Sequence, residues 1–550
     1  MDRNLFLAFA LSFAVLTGWM LLTGGQQRPV DQAPAVAEES APTPSPVVEP
    51  PRAAAPESRP AAPDRAAEAP AQTLQLERPL FFAKLTTRGA ALEGWELRSY
   101  DSGPRAGRRP IRLVEDGSGQ PIPLVTPLEE LGLGSLAERN FEIESNDGST
   151  IAFRYQSGGL VVRKTYAFES DGYAFALKLQ VENGSSAAVS PRFGVEWPVH
   201  AMQGSDFKEQ ALAALHEGSV TRLLLAQFGT PGFFDRTPDR NLDFAREIDW
   251  AGVDLPYFLS AVLPDQPALA NARFLVVEPG RSGLVQVFFD GVEIPPGQSA
   301  ERVYRVYLGP KEEHRLEALG GGLIRAIDLG YTWVVPLTRF FHWLLQALYS
   351  VVPNYGVAII VLTILVRLVT APLTNRQMRS MERMRKLAPK LEELRATHAD
   401  DKAKQSEAMM RLYRQEGVNP LGGCLPMVLQ IPVFIGLFYA LRSSIELRHS
   451  PFFGWITDLS IPESLFTIPG LDLPVRVLPI LMGVSMVAQQ KLTPMQMDPA
   501  QAKMMLVVMP VMMTVMFYQF PSGLVLYWMV SNVIAISHQL WIGRRLRATV

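Results

Sequence analysis

From Gly320 onward the chain contains apolar stretches too long and too free of charge to suit a water-soluble core. Leu421–Leu441 runs for 21 residues without Asp, Glu, Lys or Arg, and Ser522–Ile542 does the same. About 18 or more such residues is enough helix to cross the hydrocarbon of a bilayer. Val351–Leu373 carries one charge, Arg367, and Met504–Phe520 carries none. A shorter run, Val477–Gln490, is uncharged over 14 residues, roughly 21 Å of helix against a hydrocarbon core of roughly 30 Å. A sixth run, Leu5–Leu22, lies near the start. It lacks an Ala-x-Ala site and reads as an uncleaved anchor in preference to a signal peptide. Parity decides the short run. With six crossings the Lys/Arg-rich stretch 376–414, Lys491 and Lys503, and the Arg544-Arg545-Leu546-Arg547 tail all fall on one side, as the positive-inside rule requires. The expected architecture is a polytopic α-helical membrane protein with six transmembrane helices and both termini cytosolic.

The remaining sequence divides by composition. Residues 29–70 hold eleven Pro among Ala, Glu, Arg and Ser, a solvated linker that cannot bury a core. Residues 72–318 alternate in period two, as in Leu160–Phe168 and Tyr173–Val181 around the turn Glu169-Ser-Asp-Gly172. They predict an all-β sandwich outside the membrane, in the periplasm of a two-membrane bacterium. Residues 319–350 place Trp333, Leu337, Phe340, Phe341, Leu344, Leu345 and Leu348 at helical spacing with charged interruptions, an amphipathic helix lying in the interface and broken at Pro336. The domain boundaries are therefore an anchor at 1–24, a linker at 25–71, the β domain, the interfacial helix, and a five-helix core at 351–550. Its helices are expected at about 351–373, 421–441, 474–490, 504–520 and 522–542.

Charge and cysteine content exclude several functions. With 52 Lys+Arg against 54 Asp+Glu the net charge is −2, so the chain is no bulk nucleic-acid binder and no DNA partner is expected. One Cys rules out a disulfide framework or a Cys-based metal cluster. No Walker loop, His-Glu-x-x-His or nucleophile elbow is present, and His200 and His216 stand isolated in the β region. The chain is expected to be no enzyme and to need no cofactor or metal.

Polar residues inside the spans are the functional candidates. Arg367 sits near mid-helix, where a cation costs about 2.5–3.5 kcal/mol on insertion scales. Two readings stand: the side chain stretches to the inner headgroups, or it occupies a hydrated groove. Thr363 lies one turn earlier on the same face, and Gln430, Ser485, Ser531 and Asn532 put polar groups into other spans, each of which could equally be a helix–helix hydrogen bond. Methionines crowd the third and fourth core helices and their loop, at Met482, Met486, Met495, Met497, Met504, Met505, Met509, Met512, Met513 and Met516. They are either lipid-facing filler or a deformable surface for varied apolar segments.

The segment 375–417 carries eleven Lys/Arg against seven Asp/Glu, a local net charge of +4. Its apolar spacing, interrupted at His398-Ala-Asp-Asp401, predicts a cytosolic helical hairpin. Arg376, Arg379, Arg383, Arg385, Lys386 and Lys390 make it either a solvated connector that enforces topology or a basic arm that docks ribosome RNA, a targeting factor or anionic lipids.

Two runs carry a family resemblance. Asn419-Pro-Leu-Gly-Gly-Cys-Leu-Pro-Met-Val-Leu-Gln-Ile-Pro-Val-Phe434 and Phe520-Pro-Ser-Gly-Leu-Val-Leu-Tyr-Trp-Met-Val-Ser-Asn532 resemble YidC-type membrane protein insertases. So do the Arg367 span with Ala371-Pro-Leu-Thr374 and the basic hairpin after it. The order of anchor, linker, outer domain and five-helix insertase core resembles the Gram-negative form. The resemblance implies a cytosol-open hydrophilic groove with Arg367 at its centre and Thr363 and Trp528 lining it. It implies a β-supersandwich outer domain, a hairpin that recruits substrate, and partnership with the SecYEG translocon and its accessory Sec subunits. Trp528 stands where close relatives often have Tyr. The short tail after Arg547 speaks against ribosome contact through a long basic extension. The expected function is insertion of nascent membrane proteins into the inner membrane, alone or with the Sec machinery. A small-solute transporter with a ligand-binding outer domain and an anchored carbohydrate-active enzyme are the rivals.

Overall fold

The computed structural model describes residues 71–548 except 103–108, 116–120, 203, 208, 231–239, 399–400, 417–424, 471–472 and 493–498. The N-terminal anchor, the linker to residue 70, Met495 and Met497 lie outside the described residues.

Period-two alternation becomes a layered β domain. A nine-stranded antiparallel sheet runs in the spatial order Ser219–Leu224, Ala211–His216, Ile248–Asp254, Phe258–Pro264, Ser299–Pro310, Ala174–Asn183, Leu160–Phe168, Thr150–Ser157, Glu142–Asn146. The expected hairpin is there, with Phe168 opposite Phe175 and Val162 opposite Val181. Two four-stranded antiparallel sheets cover one face of it. One comprises Thr73–Glu77, Phe81–Thr86, Ala91–Ser102 and Arg109–Val114, and presses Trp95 against Phe175 at 5.7 Å between ring centroids. The other orders Asn241–Phe244, Ala270–Glu278, Ser282–Phe289 and Gly194–His200, and brings Phe289 to Tyr304 at 5.7 Å. Inward side chains of all three layers merge in one apolar core.

That core buries a lysine. Lys164 is fully buried and donates to the carbonyls of Gly89 (3.0 Å) and Leu124 (2.5 Å). Burial without a facing carboxylate pulls its pKa down to about 7.

The uncovered face of the large sheet receives the chain on its way to the membrane. Helix α1 (Glu313–Leu319) ends at Gly320-Gly321-Gly322, all with positive φ, so the expected interfacial helix does not start at 319. Helix α2 is Val335–Val351 and holds Pro336 in its first turn instead of breaking there. Proline costs nothing in a first turn, where its missing N–H has no intrahelical partner. Trp333 thus falls outside the helix.

The helical part contains, among the described residues, α3 (Tyr355–Lys386), α4 (Ala388–Thr397), α5 (Lys402–Gln415), α6 (Leu425–Ser443), α7 (Val477–Leu492), α8 (Pro499–Phe517) and α9 (Ser522–Ala548). Tyr355–Asn375 and Ser522–Ile542 are long and apolar enough to cross a membrane, while α7 and Leu506–Phe517 are shorter apolar helices. Helix α3 starts at 355, not 351, because Asn354 Oδ1 caps it by accepting from the Val357 amide (3.1 Å). It also passes through Pro372 and runs eleven residues past Asn375, consuming the first part of the expected hairpin. The hairpin proper is α4 and α5, where Leu387 and Leu391 pack on Met409, Leu412 and Tyr413. Met410, next to Met409, is exposed.

Packing in the bundle is lopsided. In α3 the buried side chains end at Thr363; in α6 they begin at Leu437, in α7 they end at Met486, and in α9 they cluster at 522–527, followed one turn later only by the polar pair Ser531 and Asn532. The dry core therefore occupies the end nearest the β domain, and the opposite end is looser. Met482 and Met486 belong to that core and face neither lipid nor an open groove. Arg448, in the segment after α6, fastens the two parts together. Its Nη2 donates to Asp206 Oδ2 at 2.9 Å, both side chains are 5% exposed, and its guanidinium lies over the Phe258 ring at 5.4 Å.

Candidate functional site

Helix spacing and the lopsided packing together place the site. Arg367 follows Thr363 by one turn, so it sits where α3 leaves the dry core. The side chain is half-buried and points across the bundle to α9, where Nε donates to Ser531 Oγ at 2.9 Å and Nη2 donates to the same hydroxyl. Among the described residues no carboxylate pairs with it. A guanidinium carries five N–H donors, and Ser531 engages only two of the groups that bear them.

Gln430 on α6 joins this cluster by donating from Nε2 to the Tyr527 hydroxyl at 3.2 Å. Tyr527 lies one turn before Ser531 on the same face of α9, so that its hydroxyl neighbours that of Ser531. Gln430, Tyr527, Ser531 and Arg367 thus form a chain of polar contacts across three helices. Sequence reading missed Tyr527. The i, i+4 relation to Ser531 was the available signal, masked by the neighbouring Trp528.

The other candidates are placed differently. Thr363 is fully buried and its hydroxyl donates to Ile359 O in its own helix at 2.6 Å. Asn532 points around α9 to α7, donating from Nδ2 to Ser485 Oγ at 2.9 Å, while Ser485 donates to Met482 O. That pair is a separate helix–helix bond. Trp528 packs its ring between Phe434 (4.8 Å) and Phe517 (5.0 Å), beside the polar chain.

Of the hairpin residues, Arg383, Lys386 and Lys390 are exposed, and Lys390 Nζ lies 2.7 Å from Glu416 Oε1. The side chains of Arg376, Arg379 and Arg385 lie outside the described residues. No group of three or more His, Cys, Asp or Glu suited to a metal occurs among the described residues.

The comparisons with known proteins match both halves of this layout. A family described as the 60Kd inner membrane protein matches residues 347–549, and one described as the YidC periplasmic domain matches residues 73–344. The membrane protein insertase YidC of Syntrophus aciditrophicus is 35% identical, covering 99% of this chain and 100% of that one. The chain belongs to the YidC family of membrane protein insertases. YidC of Nitratidesulfovibrio vulgaris strain Hildenborough is 36% identical over 99% of both chains. Among solved structures, an active YidC insertase with its first transmembrane domain resolved aligns with a TM-score of 0.35 and 18% identity, over 86% of this chain and 94% of that one.

As a YidC-family insertase, this is an inner-membrane protein with a periplasmic all-β domain, and it is not an enzyme. The anchored-enzyme reading falls with that, and nothing in the comparisons supports the solute transporter.

Proposed function

We propose that insertion proceeds through a hydrated groove centred on Arg367, reached from the cytosol. The supporting observation is the half-buried guanidinium, held by Ser531 without a carboxylate at the boundary where close packing ends. A cation exposed to polar solvent there attracts the acidic residues of a nascent chain's outer segment, more strongly than in bulk water because the surroundings have a lower dielectric. The apolar segment then partitions into lipid, driven by roughly 25 cal/mol per Å² of apolar surface removed from water. No nucleotide is needed.

In this reading six helices cross the membrane, the five after the β domain form the groove, and both termini are cytosolic. Gln430 and Ser531 line the polar wall, Trp528 supplies an aromatic one, Ser485 and Asn532 tie two of the helices that frame it, and Thr363 lies one turn before Arg367 at the groove's closed end. The basic residues of 376–390 receive ribosome, targeting factor or anionic lipid, and the SecYEG translocon with its accessory subunits is a partner for larger substrates.

The test is insertion of a substrate with an acidic outer tail into proteoliposomes. Arg367→Lys should retain activity and Arg367→Glu should lose it. Equal insertion by the Glu variant refutes the groove mechanism.

A further inference from the structure

The segment between α6 and α7 ends in a short hairpin, Phe466–Ile468 paired with Leu473–Val475. Phe466 lies opposite Val475 and Ile468 opposite Leu473, so these four apolar side chains share one face, while Thr467 and Pro474 occupy the other. Phe466 is 55% exposed, Leu473 49% and Leu465, just before the strand, 48%. Nothing in the described chain covers them.

The base of the hairpin is tied to the helices. Arg476 lies over the Tyr518 ring at 4.7 Å and donates to the Tyr518 carbonyl, while the Tyr518 hydroxyl donates to Pro474 O. Helix α7 starts one residue later and has 16 residues, about 24 Å, some 6 Å short of a hydrocarbon core. Its first turn also finds a protein acceptor. Glu463, 5% exposed, accepts from the Leu478 amide through Oε1 (2.7 Å) and from Trp455 Nε1 through Oε2 (2.8 Å). A helix that begins in water has its leading N–H groups hydrated; one that begins below the lipid surface needs a protein acceptor for them.

We infer that this hairpin is an outer-leaflet wedge. Phe466 and Leu473, with Ile468 and Val475 on the same face, dip into the headgroup–acyl boundary of the periplasmic leaflet and supply the apolar depth that α7 lacks. The occupant of the apolar face is phospholipid, because the hairpin continues directly into one apolar helix and is pinned to the end of another. Arg476 and Tyr518 stand at headgroup level, where a cation and a tyrosine are both favoured. The backbone stays at that level too, since an open strand edge is not tolerated deeper. This rests on the reading that α7 crosses the membrane.

The test uses full-length protein carrying Cys424→Ser in phosphatidylethanolamine/phosphatidylglycerol vesicles, with a nitroxide on Phe466→Cys, Thr467→Cys or Val484→Cys. Depth is read from oxygen against nickel-chelate accessibility. The label at 466 should sit about 5–10 Å below the headgroup level, the label at 467 shallower, and the label at 484 in the acyl core. If 484 is deep but 466 is as open to the nickel chelate as 467, the wedge is refuted while the crossing stands. If 484 is itself aqueous, the crossing and the wedge fall together. A photocrosslinker at 466 that captures a stalled nascent chain instead of lipid also overturns it.

Discussion

Arg367 on α3 and Ser531 on α9, 164 positions apart, meet with Nε 2.9 Å from Oγ. The bond turns the guanidinium across the bundle instead of along its helix toward the headgroups. Ser531→Ala should therefore free the side chain to stretch outward. A hydrogen bond to a charged group is worth about 1.5–3 kcal/mol when buried and less at a half-exposed site. Insertion of substrates with acidic outer tails should fall roughly three- to tenfold, at 1.4 kcal/mol per tenfold. Ser531→Thr should retain activity and substrates with neutral tails should be unaffected, both measured by protease protection in proteoliposomes.

Arg448 should be the strongest single link between the β domain and the bundle. Arg448→Ala leaves Asp206 buried without its partner, a change that costs about 3–5 kcal/mol in comparable sites. The expected result is faster tryptic cleavage around residues 203–210 and a lower thermal midpoint in detergent. The double change Arg448→Met with Asp206→Leu should recover most of the loss, because no buried charge remains.

His342 on α2 is set between Glu313 of α1 and Glu446 after α6, at 3.9 and 3.4 Å. Burial disfavours its charge, but the two facing carboxylates outweigh that and raise its pKa to about 9. A histidine raised from about 6.5 contributes stability in full below pH 6.5 and loses it as pH climbs through 9. Thermal midpoints between pH 6 and 10 should fall across that window in the wild type. His342→Gln should flatten that component.

Lys164 should act in the opposite sense. Its pKa is lowered by burial to about 7, so the unfolded chain holds the extra proton between pH 7 and about 10.5 and stability rises with pH over that range. Lys164→Met keeps the volume, removes the charge penalty and should abolish this rise. The two carbonyls left without their donor, Gly89 and Leu124, would offset part of the gain, so the change near pH 7 should be no more than a few kcal/mol. The β-domain transition followed by far-UV circular dichroism reads it.

Much of the architecture was legible because period-two and long apolar runs each leave few alternatives. The strands Leu160–Phe168 and Ala174–Asn183 follow directly from alternation around a turn. Apolar helices stand where the long apolar runs lie, with most ends shifted by up to six residues and that of α3 by thirteen. The shifts have local causes: Asn354 capping α3, Gly320–Gly322 stopping α1, and good helix formers carrying α3 past Pro372. The candidate site was legible by residue type only. Arg367, Gln430 and Ser531 join one polar chain, whereas Ser485 and Asn532 form another and Thr363 bonds to its own backbone.

Hydrophobic period and length alone determined that this chain has an outer β domain and a bundle of apolar helices, since backbone polar groups in lipid must be satisfied within the chain. Tertiary structure decided which polar side chains meet. Residues adjacent in sequence, such as Ser531 and Asn532, project about 100° apart around a helix. Whether each faces α3 or α7 depends on how the helices are rotated and packed, and no local pattern encodes that.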